Sequence, residues 1–453
     1  MSYGLIAIII ILIVIIGAIT TRKCIEFMIL GSVLASLVLY KLEFLSQWAA
    51  VFQEVMYQED SVWLVLVCCL FGSLIALLQA SRGTYGFAGV ITKICKTEKR
   101  TLFTSFILGV LIFVDDYLNI LSVGVCMKKI YDKNKVPREA MAYLLDSTGA
   151  PVCTLFPFST WAVFFSTLFF AEQSVVELGY KTPLDAYMRA IPFAFYPIFT
   201  LVVIFLFAIG VVPKIGAMKK AFIRTAETGK TYSERSRKYN HEEIEQIDQK
   251  GSIWDFLIPM IILVAVAVIT GDLLFAVLIG LFVCFLLYIP RKVIHIEQFM
   301  STIISGFADM LPTVFLVLMG FVLESFVSRM GMTEYIIDKI TPFLSAELFP
   351  AIIFILVAFL TFTTGSNWGM SAVCIPIVFP LGAAVGADVI LTMAAVMSGG
   401  AFGSHACFYS DATLLASSSS GIDNIEHAIT QLPYVLIASI LSVIAFVITG
   451  IVM

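Results

Sequence analysis

The chain has 453 residues, 60% of them hydrophobic and 13% charged, with a formal net charge of −4 and a mean hydropathy of +0.99. A soluble globular domain carries about 25% charged residues, so the composition excludes a water-soluble enzyme and points to an all-α polytopic membrane protein. No basic stripe marks a nucleic-acid partner, and the nine cysteines lack metal-type Cys/His spacing and read as small core hydrophobes.

In chain order, apolar runs predict spans at Leu5–Ile19, Ile25–Tyr40, Val62–Ala80, a polar-interrupted Ala140–Ala171, and Ile191–Val212. After a polar linker they predict Trp254–Thr270, Leu273–Tyr288, Ile303–Val327, an interrupted Val389–Ser418, and Tyr434–Val452. The first run has Arg22 and Lys23 after it and no small-residue cleavage site, so it reads as a span and not a signal peptide.

Two further stretches read as re-entrant hairpins. Leu102–Val114 and Tyr117–Met127 are split by Asp115-Asp116 and flanked by Lys99-Arg100 and Lys128-Lys129. Each arm of about 12 residues would rise about 18 Å, half of a bilayer. Pro350–Thr364 and Trp368–Pro380 meet in the same way at Thr363-Thr-Gly-Ser-Asn367.

Charge sets an orientation. Lys41–Asp60 has four acids and one base and is read as an outer loop; Lys214 to Lys238 has eight bases against two acids and is read as a solvated inner connection. The positive-inside rule then puts both termini outside, with ten spans and two hairpins in the plasma membrane. Each half has five crossings, an odd number, so the second half (252–453) runs inverted to the first (1–212), with 213–251 as a cytoplasmic linker.

The interrupted stretches carry the chemistry. Asp146-Ser-Thr-Gly-Ala-Pro-Val-Cys-Thr-Leu-Phe-Pro-Phe-Ser-Thr-Trp161 places a carboxylate, glycine, prolines and hydroxyls inside a span. Irregular backbone at membrane depth survives where it is buried or lines a cavity. Ser398-Gly-Gly-Ala-Phe-Gly-Ser-His-Ala-Cys-Phe-Tyr-Ser-Asp411 echoes it without a gap, setting Ser147 on Ser398, Gly149 on Gly400, Ser159 on Ser410 and Thr160 on Asp411. Upstream, Ser81-Arg82…Lys93-Ile94 echoes Ser328-Arg329…Lys339-Ile340. Paired interrupted segments in two halves are the best sequence pointer to a transporter's site.

Two tips and two breaks should therefore meet near the midplane. Asp115, Asp116, Asn119, Asp146, Asn367 and Asp411 are the candidate ion- or proton-binding residues, with Asp116, Asn367 and Asp411 as Na⁺ ligands. Carboxylates, amide oxygens and hydroxyls are what a hard cation prefers, and an intramembrane carboxylate is functional by default. Of the adjacent pair, Asp116 is placed toward the site and Asp115 as a helix cap; Asp146 fits either a cap or a site. The hydroxyls Ser147, Thr148, Thr154 and Ser159 in the first break, and Thr364 and Ser366 at the second tip, are candidate substrate contacts. Ser398, Ser404, His405, Tyr409 and Ser410 are the counterparts in the second break. The Ser417–Ser420 run reads as a helix end with locally satisfied hydroxyls.

At Phe113-Val-Asp-Asp-Tyr-Leu-Asn119, Asp146-Ser-Thr-Gly-Ala-Pro151 and Ser404-His-Ala-Cys-Phe-Tyr-Ser-Asp411 the chain resembles the NhaC-type Na⁺/H⁺ antiporters, within the ion-transporter superfamily of inverted-repeat carriers. The resemblance covers nearly the whole chain. It implies ten or more spans, re-entrant hairpins, Na⁺ and H⁺ as coupling ions without another cofactor, and a homodimer. The Thr364-Gly-Ser-Asn367 tip resembles the Ser-Asn-Thr signature of the superfamily's sodium/dicarboxylate branch, with Trp368 in place of its threonine.

The leading reading is Na⁺/H⁺ antiport by alternating access, with Asp116 and Asp411 as exchange sites. The alternative is Na⁺- or H⁺-coupled movement of a small organic solute: an organic acid, amino acid or amine. A channel fits the paired breaks less well, and a membrane enzyme least, since no nucleophile–base pair or metal set stands out.

Overall fold

The computed structural model describes residues 3–21, 23–83, 95–157, 159–240, 251–270, 272–332, 335, 344–365, 367–408 and 410–453. Its elements are helices: α1 Gly4–Thr21, α2 Cys24–Tyr40, α3 Phe44–Tyr57, α4 Glu59–Ala80, α5 Glu98–Leu111, α6 Asp116–Lys133, α7 Arg138–Thr148, α8 Ala150–Leu155, α9 Thr160–Phe170, α10 Gln173–Val176, α11 Pro183–Ala190 and α12 Phe195–Ile209. They continue with α13 Gly216–Thr228, α14 Trp254–Thr270, α15 Leu273–Tyr288, α16 Ile296–Arg329, α17 Phe349–Thr364, α18 Asn367–Val385, α19 Val389–Ala406, α20 Asp411–Ser420 and α21 Asn424–Val452. An apolar chain in lipid folds this way because a helix satisfies its own backbone. Short polar caps start many of the helices: Thr97, Asp115, Ser159, Thr182, Asp272, Asp388, Ser410 and Asp423 each accept a first-turn N–H.

Against ten expected spans, four described helices are long and apolar enough to cross a membrane, six if two bent pairs are each one span. The chain is a polytopic membrane protein. In chain order, a helix pair α5–α6 is followed by an interrupted helix α7–α8–α9, and later a helix pair α17–α18 is followed by an interrupted helix α19–α20. The second members of the upstream echo, Lys93-Ile94 and Lys339-Ile340, lie outside the described residues. The hairpin arms, 14 and 18 residues in the first and 16 and 19 in the second, are longer than hydropathy suggested. Polar turns extend the helices past their apolar cores.

Three sequence expectations change. Lys41–Asp60 is not a loop: Phe44–Tyr57 is an amphipathic helix that buries Val51 and Val55. The glycines 399 and 400 do not break a helix, since α19 runs unbroken to Ala406 and the next helix starts at Asp411. A Cβ on Gly399, Gly400 or Gly403 would collide with Val357, Asn367 or Thr361 of the hairpin, so these glycines serve close approach. In the first half the roles are exchanged: Gly109 sits on the hairpin arm and receives Thr148 of the broken helix. The first half also bends where a plain span was expected, by 53° between Pro183–Phe193 and Phe195–Ile209.

The linker is docked rather than solvated across its described part, 213–240. Helix α13 buries Met218, Ala221 and Thr225. Arg224 holds the buried Glu139 by two hydrogen bonds of 2.8 and 3.0 Å. Ser233 and Ser236 donate to Glu426 Oε2 at 2.8 and 2.6 Å, and Asn240 Nδ2 donates to Gly421 O at 2.8 Å. The buried positions Met218, Ala221 and Thr225 fall on one helical face, a short period that the surrounding basic residues obscure in the sequence. The polar contacts satisfy groups at the turn between α20 and α21, where helix ends leave N–H and C=O unpaired. Residues 241–250 lie outside the described residues.

Helices α4 and α16 cross where Gly72 and Gly306 bring the two backbones together; a Cβ on either would strike the other's carbonyl oxygen. Small residues at such a crossing replace the hydrophobic drive that lipid removes. Gly306→Leu is expected to cost about 3 kcal/mol or more, since backbone cannot yield as a side chain can, and to lower the melting temperature in detergent by several degrees.

Candidate functional site

Three helix starts and one polar tip converge at the core. Asp115 caps α6: its Oδ1 accepts from Leu118 N at 3.0 Å and its Oδ2 from Thr160 Oγ1, on α9, at 3.0 Å. That bond joins the first tip to the first break. Tyr117, the second residue of α6, donates its hydroxyl to the carboxylate of Asp411 at the start of α20, joining the first tip to the second break. Asn367, the first residue of α18, packs its amide on Gly400 of α19 and accepts from Ser371 Oγ at 3.2 Å. Trp368 closes the ring on the other side, 5.6 Å from Trp161 and 4.5 Å from Phe164, both on α9. The four clusters expected to meet are thus in contact, pairwise, through named side chains.

Asp116 is 2% exposed, and its Oδ1 has no hydrogen-bond partner. No lysine or arginine pairs with Asp115, Asp116 or Asp411 among the described residues. The charge on these carboxylates is met instead by half-helix N-termini, each worth about half a positive charge.

The breaks are built alike. Ser159 Oγ donates to Cys153 O at 2.6 Å and accepts from Ala162 N at 3.0 Å. Ser410 Oγ donates to Ser404 O at 2.6 Å and accepts from Thr413 N at 3.2 Å. The two serines stand at aligned positions, six residues after the carbonyl and three before the amide in both halves. They hold the unwound turns, so their hydroxyls are spent on backbone. Thr154 Oγ1 bonds Ala150 O at 2.8 Å, and Thr148 Oγ1 bonds Leu144 O at 2.8 Å, so these hydroxyls too are taken up locally. Asn119 donates to Gly109 O at 2.5 Å and to Ile112 O and Thr148 O at 2.9 Å, stapling both hairpin arms to the broken helix; its Oδ1 is buried without a partner.

Asp146, Ser147, Ser404 and His405 lie deeper, beside residues the apolar pattern did not reveal. Asp146 Oδ2 accepts from Thr413 Oγ1 at 3.0 Å, His427 Nε2 at 2.9 Å and Gln431 Nε2 at 2.9 Å. His405 bonds Ser147 Oγ at 3.0 Å and the Tyr196 hydroxyl at 2.7 Å, while Ser398 Oγ accepts from Tyr196 N at 3.5 Å. His427 and Gln431 fall before the apolar run read as the last span. Their spacing of four on a helix that starts at Asn424 was the available signal. Ser366 and Tyr409 lie outside the described residues, as does the side chain of Thr364. Of the serine run, Ser417 and Ser418 bond back to Leu414 O and Leu415 O, whereas Ser419 and Ser420 have buried hydroxyls without partners.

Apolar helices broken at paired points, with carboxylates and amides buried where the breaks meet, are the architecture of a secondary transporter. The sequence profile of the Na⁺/H⁺ antiporter family matches residues 169–451, and the chain belongs to that family. An uncharacterized protein of Haemophilus influenzae is 24% identical over 478 residues, spanning 97% of this chain and 89% of the relative. The structure of MtrF from Neisseria gonorrhoeae, described as illuminating a class of antimetabolite efflux pumps, superposes with a TM-score of 0.50 at 14% identity, covering 90% of this chain and 84% of that one.

Removing the Asn119 staple takes away the two amide hydrogens that the buried Gly109, Ile112 and Thr148 carbonyls share. Asn119→Ala is expected to cost at least about 2 kcal/mol, read as a lower detergent melting temperature, whereas Thr154→Ala, which removes one local bond, is expected to cost less than half as much.

Proposed function

We propose that the protein exchanges Na⁺ for H⁺ across the plasma membrane by alternating access, with Asp116 and Asp411 as the cation seat. The observation that carries this reading is the buried Asp116 carboxylate with an unpartnered oxygen, in a site whose described residues supply no basic side chain. An isolated buried charge costs several kcal/mol. A cation entering from one side and leaving on the other removes that cost in passing. Asn367 and the carbonyls freed at the breaks add neutral oxygens, a suitable set for Na⁺. The half-helix ends and the Tyr117 hydroxyl hold the carboxylates when the seat is empty. Alternating access fits two inverted repeats, 1–212 and 252–453, rocking about this centre as a homodimer, with the basic linker 213–251 toward the cytoplasm.

A second reading, ion-coupled movement of a small organic solute, is favoured by the aromatic pair beside Asp115. Phe113 and Phe156 stack at 4.4 Å, a surface on which a planar solute or an organic cation could lie. MtrF is described in terms of antimetabolite efflux.

The test is dissipation of a pH gradient in proteoliposomes on addition of Na⁺, K⁺ or Li⁺. Na⁺ is expected to release the gradient. Asp116→Asn and Asp411→Asn are each expected to slow it at least about 100-fold, as loss of about 3 kcal/mol of charge pairing requires. A wild type unresponsive to every cation but active with an organic acid, amino acid or amine replaces antiport with the second reading.

A further inference from the structure

Asp146 is the centre of a second buried polar cluster, separate from the tip carboxylates. Its Oδ2 takes three donors, from Thr413, His427 and Gln431. Gln431 Nε2 also donates to His405 O at 2.7 Å. Both of its neighbours are acceptors, so the orientation of that amide is settled. Asp146, His405 and His427 are fully buried, and no lysine or arginine pairs with the Asp146 carboxylate among the described residues. Three atoms of the cluster are left without partners: Asp146 Oδ1, His427 Nδ1 and Gln431 Oε1. The other titratable groups facing the pair are His405 on α19, Tyr196 on α12 and Asp411 on α20.

A carboxylate and an imidazole in contact, buried and without a lysine or arginine beside them, can hold one exchangeable proton between them. The Nε2–H···Oδ2 bond is present in both states. With the proton, the pair is neutral overall, as imidazolium and carboxylate or as imidazole and carboxylic acid. Without it, the pair carries one negative charge. The N–H or O–H bond that forms or breaks is on His427 Nδ1 or Asp146 Oδ1, two of the atoms the protein leaves unpartnered. No other bond changes, and the proton comes from and returns to water.

We propose that Asp146 and His427 form a second exchange site, which carries the proton, while the Asp116–Asp411 seat carries the metal cation. This rests on the antiport reading and divides the exchange between two linked seats. The link is α20: Asp411 at its start faces the cation seat, and Thr413 two residues on is bonded to Asp146. Occupancy of either seat therefore bears on the same half-helix. The site also touches α7, α19 and α21, so its charge is felt by both breaks and the last span.

The experiment compares two fluxes in proteoliposomes of the full chain: Na⁺-driven proton movement and ²²Na⁺/Na⁺ exchange, which needs no proton. Asp146→Asn and His427→Gln are expected to cut proton movement at least about 30-fold while ²²Na⁺/Na⁺ exchange stays within about 3-fold of wild type, as separate sites allow. If Asp146→Asn fails to fold, His427→Gln decides. Parallel loss of both fluxes in folded His427→Gln joins this pair to the cation seat and overturns the proposal. Intact proton movement in the folded variants makes the cluster structural and overturns it as well. A wild type with ²²Na⁺/Na⁺ exchange but no Na⁺-driven proton movement defeats the antiport reading itself, and the proposal falls with it.

Discussion

The structure depends on how two unwound turns are made tolerable inside an apolar body. Helices end at Leu155 and Ala406 and resume at Thr160 and Asp411, and each interruption strips backbone groups of their partners. One serine repairs each turn, reaching back to a carbonyl and forward to an amide, in the same register in both halves. Asn119 does the corresponding work for the first hairpin. These bonds cost the site some of its hydroxyls, but they let half-helices begin in the middle of the protein. The next residue in each case, Thr160 or Asp411, is then presented at a helix start.

That placement explains the electrostatics. Three carboxylates without basic partners would be untenable in a dry core. Here they stand at or beside the positive ends of half-helices, and Asp411 has a phenolic donor. The compensation is partial and built of dipoles, which do not neutralise a charge as a lysine would. A site held in this balance can accept a cation and give it up again, which suits a carrier better than a permanent ion pair.

The docked linker extends the same logic to the end of the broken helices. Arg224 reaches Glu139 at the start of α7, and Ser236 and Asn240 reach the turn between α20 and α21. Both tethered elements lead directly to the site, α7 to Asp146 and α20 back to Asp411. The linker therefore joins the two broken helices on one side, at residues far apart in the chain.

Much of this was legible from the residues alone. Hydropathy defined a polytopic helical chain, the polar interruptions marked tips and breaks, and the gapless echo placed Ser159 opposite Ser410. These are local signals: a carboxylate or proline within an apolar run is improbable without a site to hold it. The function of the glycines was not legible, because Gly399 and Gly403 look like helix breakers until Val357 and Thr361 are seen against them. His427 and Gln431 were hidden for a related reason. A hydropathy window ends a span where polarity rises, whereas the backbone helix continues to its cap at Asp423. By itself the sequence determined the class of protein, its all-helical make-up and the places where polar residues interrupt apolar runs. Tertiary structure alone decided which of them share a cluster, since Asp146 and His427 are 281 residues apart and meet through the packing of the broken helix against the last span.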